Sequence, residues 1–316
     1  MTAYADESTA EASITPDVVR RALVEACPGT RVAEIRQLDA GYTSRQWVAD
    51  TDEGPWLVKS PVRETDPEHL RRLIATTRRA GEGGVPVVRF RAFVPRSTAL
   101  QRPMLVQEFQ EGIPADEAWH SMDPAQRTRF AAELGQLVAR VHSCSGPWFG
   151  DVLGTEKYPD SRSFLHALVD SRLAEAPEDL TSVGRGGLSA AIHRAVDAVA
   201  PDGTPSLTHG DLWRQNVVLR DERIACLLDF EHGRYADRFL DFGKLEEHIF
   251  DEFPEGRTAF LDAYDEVRAL PVDWESRVRL GRAIHALSMA VYFLRWTPKR
   301  APQYVHELDE WLAGQA

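Results

Sequence analysis

The residues best suited to chemistry lie in two neighbouring segments, LTHGDLWRQNVVL at 207–219 and ACLLDFEHG at 225–233. Each segment contains a short apolar run, and together the two runs predict the strands of a hairpin. The predicted strands and turn are 217–219, 226–228 and 220–222. Such a hairpin would bring Asn216, just before the first strand, close to Asp229, just after the second.

The polar side chains around this hairpin suit a hard cation and a general base. Asn216 and Asp229 offer two oxygen ligands, which magnesium prefers. Asp211 lies in the loop leading into the hairpin, and a carboxylate that does not bind metal can accept a hydroxyl proton. Asp and Asn are also common in ordinary turns. The order and spacing of these residues, with apolar runs on both sides, favour the catalytic interpretation.

Length and composition exclude several other classes of function. The chain has 316 residues, 43 % hydrophobic and 27 % charged, as in an ordinary enzyme large enough for two lobes. No apolar run approaches the roughly 20 residues that span a bilayer, so we expect no membrane partner. A net charge of −12 would repel phosphate backbones, so nucleic acid is not an expected partner.

The cysteines and the N-terminus favour a cytoplasmic protein. The three cysteines are far apart and form no CxxC pair, which argues against a disulfide framework and a cysteine zinc site. Residues 1–14 are small and acidic, without the basic-then-apolar order of a signal peptide. We therefore expect a flexible leader over 1–14 and a cytoplasmic location.

The pattern of predicted elements changes near residue 110. Before it, alternating apolar residues predict five strands, at 32–38, 44–50, 56–59, 87–93 and 104–109. One helix is predicted between them, starting at Asp66-Pro67 and ending near Ala80 at Gly81. We expect residues 15–110 to form a small lobe of five strands around one helix.

The rest of the chain, residues 111–316, is predicted to be mostly helical. A second Asp-Pro start at Asp123-Pro124 opens a long helix, and an apolar stripe follows it at helical spacing. The same spacing recurs between Leu280 and Leu294. Both stripes indicate core packing rather than a functional surface.

The order His209-Gly210-Asp211, then Asn216, then Asp229-Phe230 resembles the aminoglycoside phosphotransferase and choline kinase superfamily. The resemblance implies an α+β, two-lobed protein-kinase-like fold, with a small five-stranded antiparallel N-lobe that binds nucleotide and a larger helical C-lobe. It implies that Asp211 is the catalytic base, and that Asn216 and Asp229 hold Mg²⁺. His209 would brace the catalytic loop, and ATP or GTP would be the co-substrate.

The same resemblance assigns nucleotide contacts in the first lobe. Lys59, one of only four lysines, ends the third predicted strand, where the family places the lysine that binds the α- and β-phosphates. The loop between the first two strands would cover the phosphates, and the segment after the fifth strand would bind the base. The residues concerned are Gly41, Thr43 and Ser44 for the phosphates, and Gln107, Glu108 and Gln110 for the base.

Three acidic residues have less certain roles. Glu68 is the best candidate to pair with Lys59, but it lies only nine residues further on, and a glutamate at a helix start is also explained by the helix dipole. Glu231 would support a second metal or its water, or would be a solvated loop carboxylate. Asp241 matches a recurrent family aspartate expected to be structural.

The acceptor is predicted to be a small hydroxylated molecule, an antibiotic-like natural product. A metabolite kinase of the choline, ethanolamine, fructosamine or homoserine type is the alternative, and a nucleotide-binding pseudokinase is a third reading. The pseudokinase reading requires a lost catalytic group, whereas all four core residues are present. A protein kinase is disfavoured because the Arg-Asp pair of its catalytic loop and its Ala-Pro-Glu segment are missing.

Two features downstream of the hairpin bear on the acceptor. Residues 246–266 carry eight acidic side chains against one arginine, which would attract amines or sugar hydroxyls, or would be solvated helix faces. The aromatic residues Phe250, Phe253 and Tyr264 could instead hold a trimethylammonium group, which would favour choline. The preference for arginine over lysine is typical of GC-rich genomes such as those of antibiotic-producing actinomycetes.

Overall fold

The computed structural model describes residues 14–38, 44–61, 67–199 and 203–315. The expected leader therefore lies outside the described residues, except for its last residue. The chain forms two compact units, one of residues 1–74 with 88–111 and the other of residues 75–87 with 112–316.

The first unit is built on one antiparallel sheet of five strands in the order β1-β2-β3-β5-β4. The strands are β1 Val32–Leu38, β2 Ser44–Thr51, β3 Gly54–Pro61, β4 Phe90–Val94 and β5 Met104–Glu108. Trp47, Val58 and Val106 are buried in its core. The predicted five-stranded antiparallel sheet is confirmed. The strand predicted from residue 87 begins three residues later, because Val87 instead bridges Leu227.

A helix that we did not predict, α1 (Pro16–Ala26), precedes the sheet. Its buried residues, Val19, Ala22 and Leu23, follow helical spacing and join the core of the sheet. Proline at the first helical position is a start signal. The prediction of a single helix in this part of the chain was therefore wrong, although the local signals were present.

The second helix, α2, covers Glu68–Glu82 and runs two residues beyond its predicted end. Gly81 does not terminate it, and the left-handed turn comes at Gly84, with φ of 78°. The division between the units falls within α2, after Ile74. Packing explains why the end of α2 belongs with the second unit, since a Cβ on Gly83 would lie 2.2 Å from Sγ of Cys144.

The second unit is mainly helical, as predicted. Its helices are α3 Ala115–Trp119, α4 Pro124–Ser143, α5 Ser161–Glu175, α6 Gly184–Ala198, α7 Leu240–Leu245, α8 Glu255–Val267, α9 Trp274–Trp296 and α10 Ala301–Ala313. A π-helical turn, Glu246–Phe250, follows α7 directly. Asp123 caps α4 in a reciprocal capping box with Gln126, with both hydrogen bonds at 2.8 Å.

Short strands complete this unit in two small sheets. The strands are β6 Ile113–Pro114, β7 Phe149–Gly150, β8 Lys157–Tyr158, β9 Ser206–Thr208, β10 Val217–Arg220, β11 Arg223–Leu227 and β12 Arg234–Ala236. Their orders are β11-β10-β6 and β8-β7-β12-β9. The two predicted apolar stripes are buried in α4 and α9, except that Leu294 is 38 % exposed. No helix among the described residues is long and apolar enough to cross a membrane.

Candidate active site

The predicted hairpin exists, and its open end carries the candidate metal ligands. Strands β10 and β11 pair antiparallel with Val217 opposite Leu227, and the N–H of Leu228 donates to the carbonyl of Asn216 at 2.8 Å. The tight turn at Asp221-Glu222 has φ of 51° and 60°, which matches the type I′ turn that suits hairpins. Asn216 and the residue before Asp229 are therefore joined by a hydrogen bond.

Two backbone conformations at this end of the hairpin are unusual. Asp229 is left-handed, with φ of 62° and ψ of 58°, which is uncommon outside glycine but most tolerated by Asn and Asp. Gly210 has φ of 78°, and a Cβ there would lie 2.4 Å from the carbonyl oxygen of His232. Only glycine therefore fits at position 210. Backbone strain of this kind is concentrated at functional sites.

The side chain of Asn216 holds the loop that contains Asp211. Its Nδ2 donates to the backbone carbonyl of Asp211 at 2.8 Å and to Oδ2 of the same residue at 3.0 Å. Both partners can only accept, so the amide nitrogen must face Asp211. The amide oxygen of Asn216 then points away from Asp211, as a metal ligand would require.

The other carboxylate oxygen of Asp211 binds a lysine that the sequence analysis did not single out. Lys244 in α7 donates from Nζ to Oδ1 of Asp211. Burial alone raises the pKa of Asp211, but the charge and hydrogen bond of Lys244 outweigh burial and hold that pKa below its usual range. Asp211 is therefore ionised at neutral pH, as a base requires. Lys244 could have been noticed as one of four lysines in the chain.

His209 connects the loop to the hairpin. Its Nε2 bonds to the carbonyl of Leu228 at 2.8 Å, and its Nδ1 accepts from the N–H of Asp211 at 3.2 Å. The carbonyl can only accept and the amide can only donate, so the uncharged tautomer with hydrogen on Nε2 satisfies both. The ring is 1 % exposed. This geometry fits a residue that braces the loop and does not react.

Asp241, in the first turn of α7, holds the backbone of the same loop. It accepts from the N–H groups of His209 and Gly210, each at 2.7 Å, and from Nε2 of His142 at 3.0 Å. The carboxylate is fully buried. Burial raises its pKa, yet the hydrogen bonds from His142 and from the backbone N–H of His209 bring that pKa below the usual range.

The partners of His142 determine its tautomer. Burial lowers the pKa of His142, so the ring is neutral at pH 7. Its Nε2 carries the hydrogen because Asp241 only accepts, and Nδ1 then accepts from the hydroxyl of Tyr264 at 2.8 Å. The oxygen of Tyr264 in turn accepts from Nη1 of Arg238 at 3.3 Å. No local pattern signals this chain of hydrogen bonds, because its members come from three separate segments.

The candidates for nucleotide binding lie in the first unit, and two of them, Gly41 and Thr43, are outside the described residues. Ser44 begins β2, and Lys59 is half-buried on β3, between β2 and β5. Glu68 is about half exposed and pairs with Arg71 one helical turn later. The structure thus gives Glu68 a partner within its own helix.

The predicted base-binding segment follows the end of β5. Gln107 is 4 % exposed on β5, and its place at the rear of a nucleotide pocket stays a prediction. The N–H of Glu108 donates to the carbonyl of Arg89 at 2.9 Å, which leaves its carbonyl as the candidate for the nucleotide base. Gln110 lies two residues further on, and its side chain donates weakly to the carbonyl of Glu111 at 3.4 Å.

Four of the eight acidic residues after the hairpin pair with other side chains. The pairs are Glu246 with Arg257 at 2.8 Å, Asp251 with Arg282 at 2.6 and 2.9 Å, Glu252 with Trp119 at 2.7 Å, and Glu247 with His285 and Tyr304 at 2.6 Å each. The arginine partners compensate the charges of Glu246 and Asp251 within the protein. The expectation of solvated helix faces agrees with most of the stretch, because six of its eight acidic residues are exposed: Asp251, Glu252, Glu255, Asp262, Asp265 and Glu266. Glu246 and Glu247 differ, since Glu246 is buried and Glu247 is largely so.

The aromatic residues of this stretch are in the core. Phe250, Phe253 and Tyr264 are between 0 and 7 % exposed. Phe250 packs edge-on against Phe260, which also stacks on Tyr264. Rings buried in this way do not offer a face to a trimethylammonium group, so the proposed choline-binding role for these three residues was wrong.

The residues at the hairpin fit a magnesium ion shared with phosphate. Within the ranges that the structure describes, no three His, Cys, Asp or Glu side chains are grouped as a metal site. A nucleotide-bound Mg²⁺ needs fewer protein ligands, because it is usually held by one or two carboxylates together with phosphates and water. The amide oxygen of Asn216 and the carboxylate of Asp229 supply such a donor set. Glu231 is 20 % exposed in the short helical turn after Asp229, 3.5 Å from His232.

Comparison with known proteins agrees with this geometry. No curated protein sequence matches the chain. Among solved structures, aminoglycoside phosphotransferase APH(4)-Ia is similar with a TM-score of 0.73 at 13 % identity, over 95 % of this chain and 99 % of its own. A putative fructosamine-3-kinase from Haemophilus somnus 129PT gives 0.69 at 16 % identity, over 93 % and 96 %. Macrolide 2′-phosphotransferase MphH from Brachybacterium faecium gives 0.63 at 19 % identity, over 94 % and 97 %.

At these identities the likeness shows the fold alone, and the predicted protein-kinase-like fold is confirmed. The family membership is shown by the sequence and not by these structures. The profile of the phosphotransferase enzyme family, APH, matches residues 34–277, well over half of the chain. The chain therefore belongs to the phosphotransferase enzyme family, and it is a kinase that phosphorylates an alcohol group.

Proposed function

We propose that this kinase transfers the γ-phosphate of ATP or GTP to a hydroxyl of an antibiotic-like natural product, with Asp211 as the catalytic base. The observation that carries the proposal is the fixed carboxylate of Asp211. One of its oxygens binds Asn216 and the other binds Lys244, and the loop around it is held by the buried Asp241. A carboxylate that is ionised and rigidly held suits the reception of one proton from a bound hydroxyl.

The transfer step follows from this arrangement. The acceptor hydroxyl donates to Asp211 at the usual distance of about 2.6–3.2 Å. Its oxygen forms a bond to the γ-phosphorus while the bond from that phosphorus to the β,γ-bridging oxygen breaks, releasing the nucleoside diphosphate. The proton passes to Asp211 and then to solvent. Most of the catalysis comes from position and charge, because phosphoryl transfer needs little covalent help from the protein.

Asn216 and Asp229 are the residues proposed to hold Mg²⁺. When bound there, the ion would neutralise negative charge on the phosphate oxygens. The left-handed backbone of Asp229 supports this role, since it directs the side chain at the end of β11 by a conformation that Asp tolerates. Glu231 is proposed to assist through water, and His209 to keep the loop in register with the hairpin.

The first unit is proposed to bind the nucleotide. Lys59 would pair with the α- and β-phosphates, and the phosphate-covering loop would include Ser44 at its end. The carbonyl of Glu108 and the N–H of Gln110 would meet the base, with the buried Gln107 behind it. Lys59 and Glu68 remain a proposed pair, beside the observed pairing of Glu68 with Arg71.

An antibiotic-like acceptor is supported by the structures that this chain resembles. They include a ternary complex of APH(4)-Ia with ADP and hygromycin B and a macrolide 2′-phosphotransferase. The burial of Phe250, Phe253 and Tyr264 counts against a choline kinase that uses these rings to bind the trimethylammonium group. A fructosamine-type metabolite kinase is the second candidate, because a putative fructosamine-3-kinase has a similar fold over nearly the whole chain.

A panel assay tests the acceptor. Nucleoside diphosphate formation is measured with ATP and with GTP, against aminoglycosides, macrolides, peptide and nucleoside antibiotics, and against choline, ethanolamine, homoserine and fructosamines. We expect one antibiotic class to be phosphorylated with a micromolar KM, with the product confirmed by mass spectrometry. Efficient phosphorylation of a metabolite and of no antibiotic would overturn the antibiotic proposal. Nucleotide binding without transfer to any acceptor would support a pseudokinase.

A further inference from the structure

Lys244 occupies a position that the family resemblance did not identify. Its Nζ donates to Oδ1 of Asp211, and the same ammonium lies 5.5 Å from the ring centre of Trp213. The side chain is only 17 % exposed. Of the 37 lysines and arginines in the chain, four are lysines, so a partly buried lysine on the candidate base is an exception to the composition of the protein.

One short helix, α7, binds both the backbone of the catalytic loop and the side chain of Asp211. Asp241 in the first turn of α7 accepts from the backbone N–H groups of His209 and Gly210. Lys244 lies three residues later, about one turn along the same helix, and binds the side chain of Asp211. The backbone of the loop and the carboxylate that it presents are thus tied to one rigid element.

We propose that Lys244 is a positioning residue for phosphotransfer, which fixes the carboxylate of Asp211 by holding Oδ1 while Asn216 holds Oδ2. The inference rests on the proposed role of Asp211 as the base. It extends that role by naming the group that sets the orientation of the base.

The physical need for a second donor comes from the side chain of the base. The terminal torsion of an aspartate is broad and roughly two-fold, so one hydrogen bond leaves the carboxylate free to turn. Donors on both oxygens fix its plane, and each oxygen keeps a second lone pair for the acceptor hydroxyl. Misplacement of a reacting group by about 1 Å can cost about 100-fold in rate.

Lys244 also places a positive charge near the reaction. A hydroxyl bonded to Asp211 lies within roughly two hydrogen-bond lengths of the ammonium that shares the same carboxylate. A fixed cation there favours the negative charge of the phosphoryl group in transit. The ring of Trp213 attracts the same ammonium from 5.5 Å and so helps to hold it beside the base.

The test compares Lys244→Met, which keeps most of the aliphatic stem, with Lys244→Arg, which keeps the charge and donors. Lys157→Met is the matched control, because Lys157 also lies over a tryptophan ring, 4.2 Å from the centre of Trp148. We measure kcat, the KM for nucleotide, and the thermal midpoint of each variant, with the acceptor found in the panel assay.

We expect Lys244→Met to lower kcat about 10- to 100-fold, with the nucleotide KM changed less than about threefold. Lys244→Arg should recover part of the loss, and Lys157→Met should match the wild type. A Lys244→Met enzyme with unchanged kcat, or two Lys244 variants that lose nucleotide affinity and thermal stability together, would overturn the inference. A wild-type enzyme that phosphorylates no acceptor would instead refute the proposed function itself, and with it the premise of this inference.

Discussion

Replacing Asp241 by asparagine tests how the catalytic loop is held. The carboxylate accepts three hydrogen bonds, from the backbone of His209 and Gly210 at 2.7 Å and from His142 at 3.0 Å, with the residue 3 % exposed. All three partners are donors. Asparagine must turn its own NH₂ toward at least one of them, and the least costly choice is the single donor at Oδ1, the N–H of Gly210.

The expected cost of Asp241→Asn follows from this count. This choice leaves the NH₂ of the new asparagine, at a position that is 3 % exposed, facing a donor and without an acceptor, which costs about 1–3 kcal/mol. The two retained bonds lose their charge assistance, which adds roughly 1 kcal/mol. We therefore expect a loss of about 2–4 kcal/mol, a large part of the 5–15 kcal/mol typical of a folded protein. Turnover should also fall, because the same bonds position the loop before Asp211.

Urea denaturation at pH 7 measures this loss as a shift of the midpoint, provided that the m-value is the same in the wild type and the variant. Asp265→Asn is the control, since Asp265 is exposed and caps only the N–H of Leu270 at 2.6 Å; it should cost less than about 1 kcal/mol. The folded-state pKa of Asp241 is lowered, so its stabilisation is present above about pH 4 and is lost as pH falls. The difference in the free energy of unfolding between the wild type and Asp241→Asn should therefore become smaller at acidic pH. An Asp241→Asn protein as stable as the control would show that these three hydrogen bonds do not stabilise the loop.

Three further perturbations have defined outcomes. Removal of Mg²⁺ by a chelator and Asp229→Ala should each abolish transfer, whereas Asn216→Ala should be milder because water can replace a neutral ligand; full activity in chelator would contradict this. Burial raises the pKa of Glu247, but its hydrogen bonds and neighbouring charges lower it to about 2. The ionised Glu247 therefore stabilises the wild type at neutral pH by up to about 3 kcal/mol, and this stabilisation is lost as the pH falls from about 5 to 2. Glu247→Gln should lack this contribution, so its acid denaturation curve should show a smaller loss over the same range. Tyr264→Phe should cost about 1–2 kcal/mol in urea, since Nδ1 of His142 loses its donor; an unchanged midpoint would disprove that chain.

The elements that local patterns determine were predictable from the sequence. The two apolar runs and the polar turn between them predict the β10–β11 hairpin, because strand and turn preferences depend on a few adjacent residues. Asp123 predicts the start of α4 for the same reason, through a capping box closed within four residues. The open end of the hairpin then brings Asn216 and the segment before Asp229 together without any long-range information.

Contacts between distant segments were not predictable. Lys244 meets Asp211 across 33 positions, and His142 meets Asp241 across 99. Such pairs depend on how helices pack, and a single sequence does not encode that packing in local spacing. The pairing of Asp251 was missed for the same reason, because its partner Arg282 comes from a later helix.

The most direct test of the account is a comparison of Asp211→Asn with the wild type in two measurements. Calorimetry gives the affinity for nucleotide, and a phosphotransfer assay with the identified acceptor gives turnover. Asp221→Asn is the matched control, since it makes the same chemical change in the type I′ turn of the hairpin, where asparagine is well suited. We expect Asp211→Asn to bind nucleotide within about threefold of the wild type and to turn over about 10²- to 10⁴-fold more slowly. Unchanged turnover, or loss of nucleotide binding in a folded variant, would contradict the assignment of Asp211 as the base.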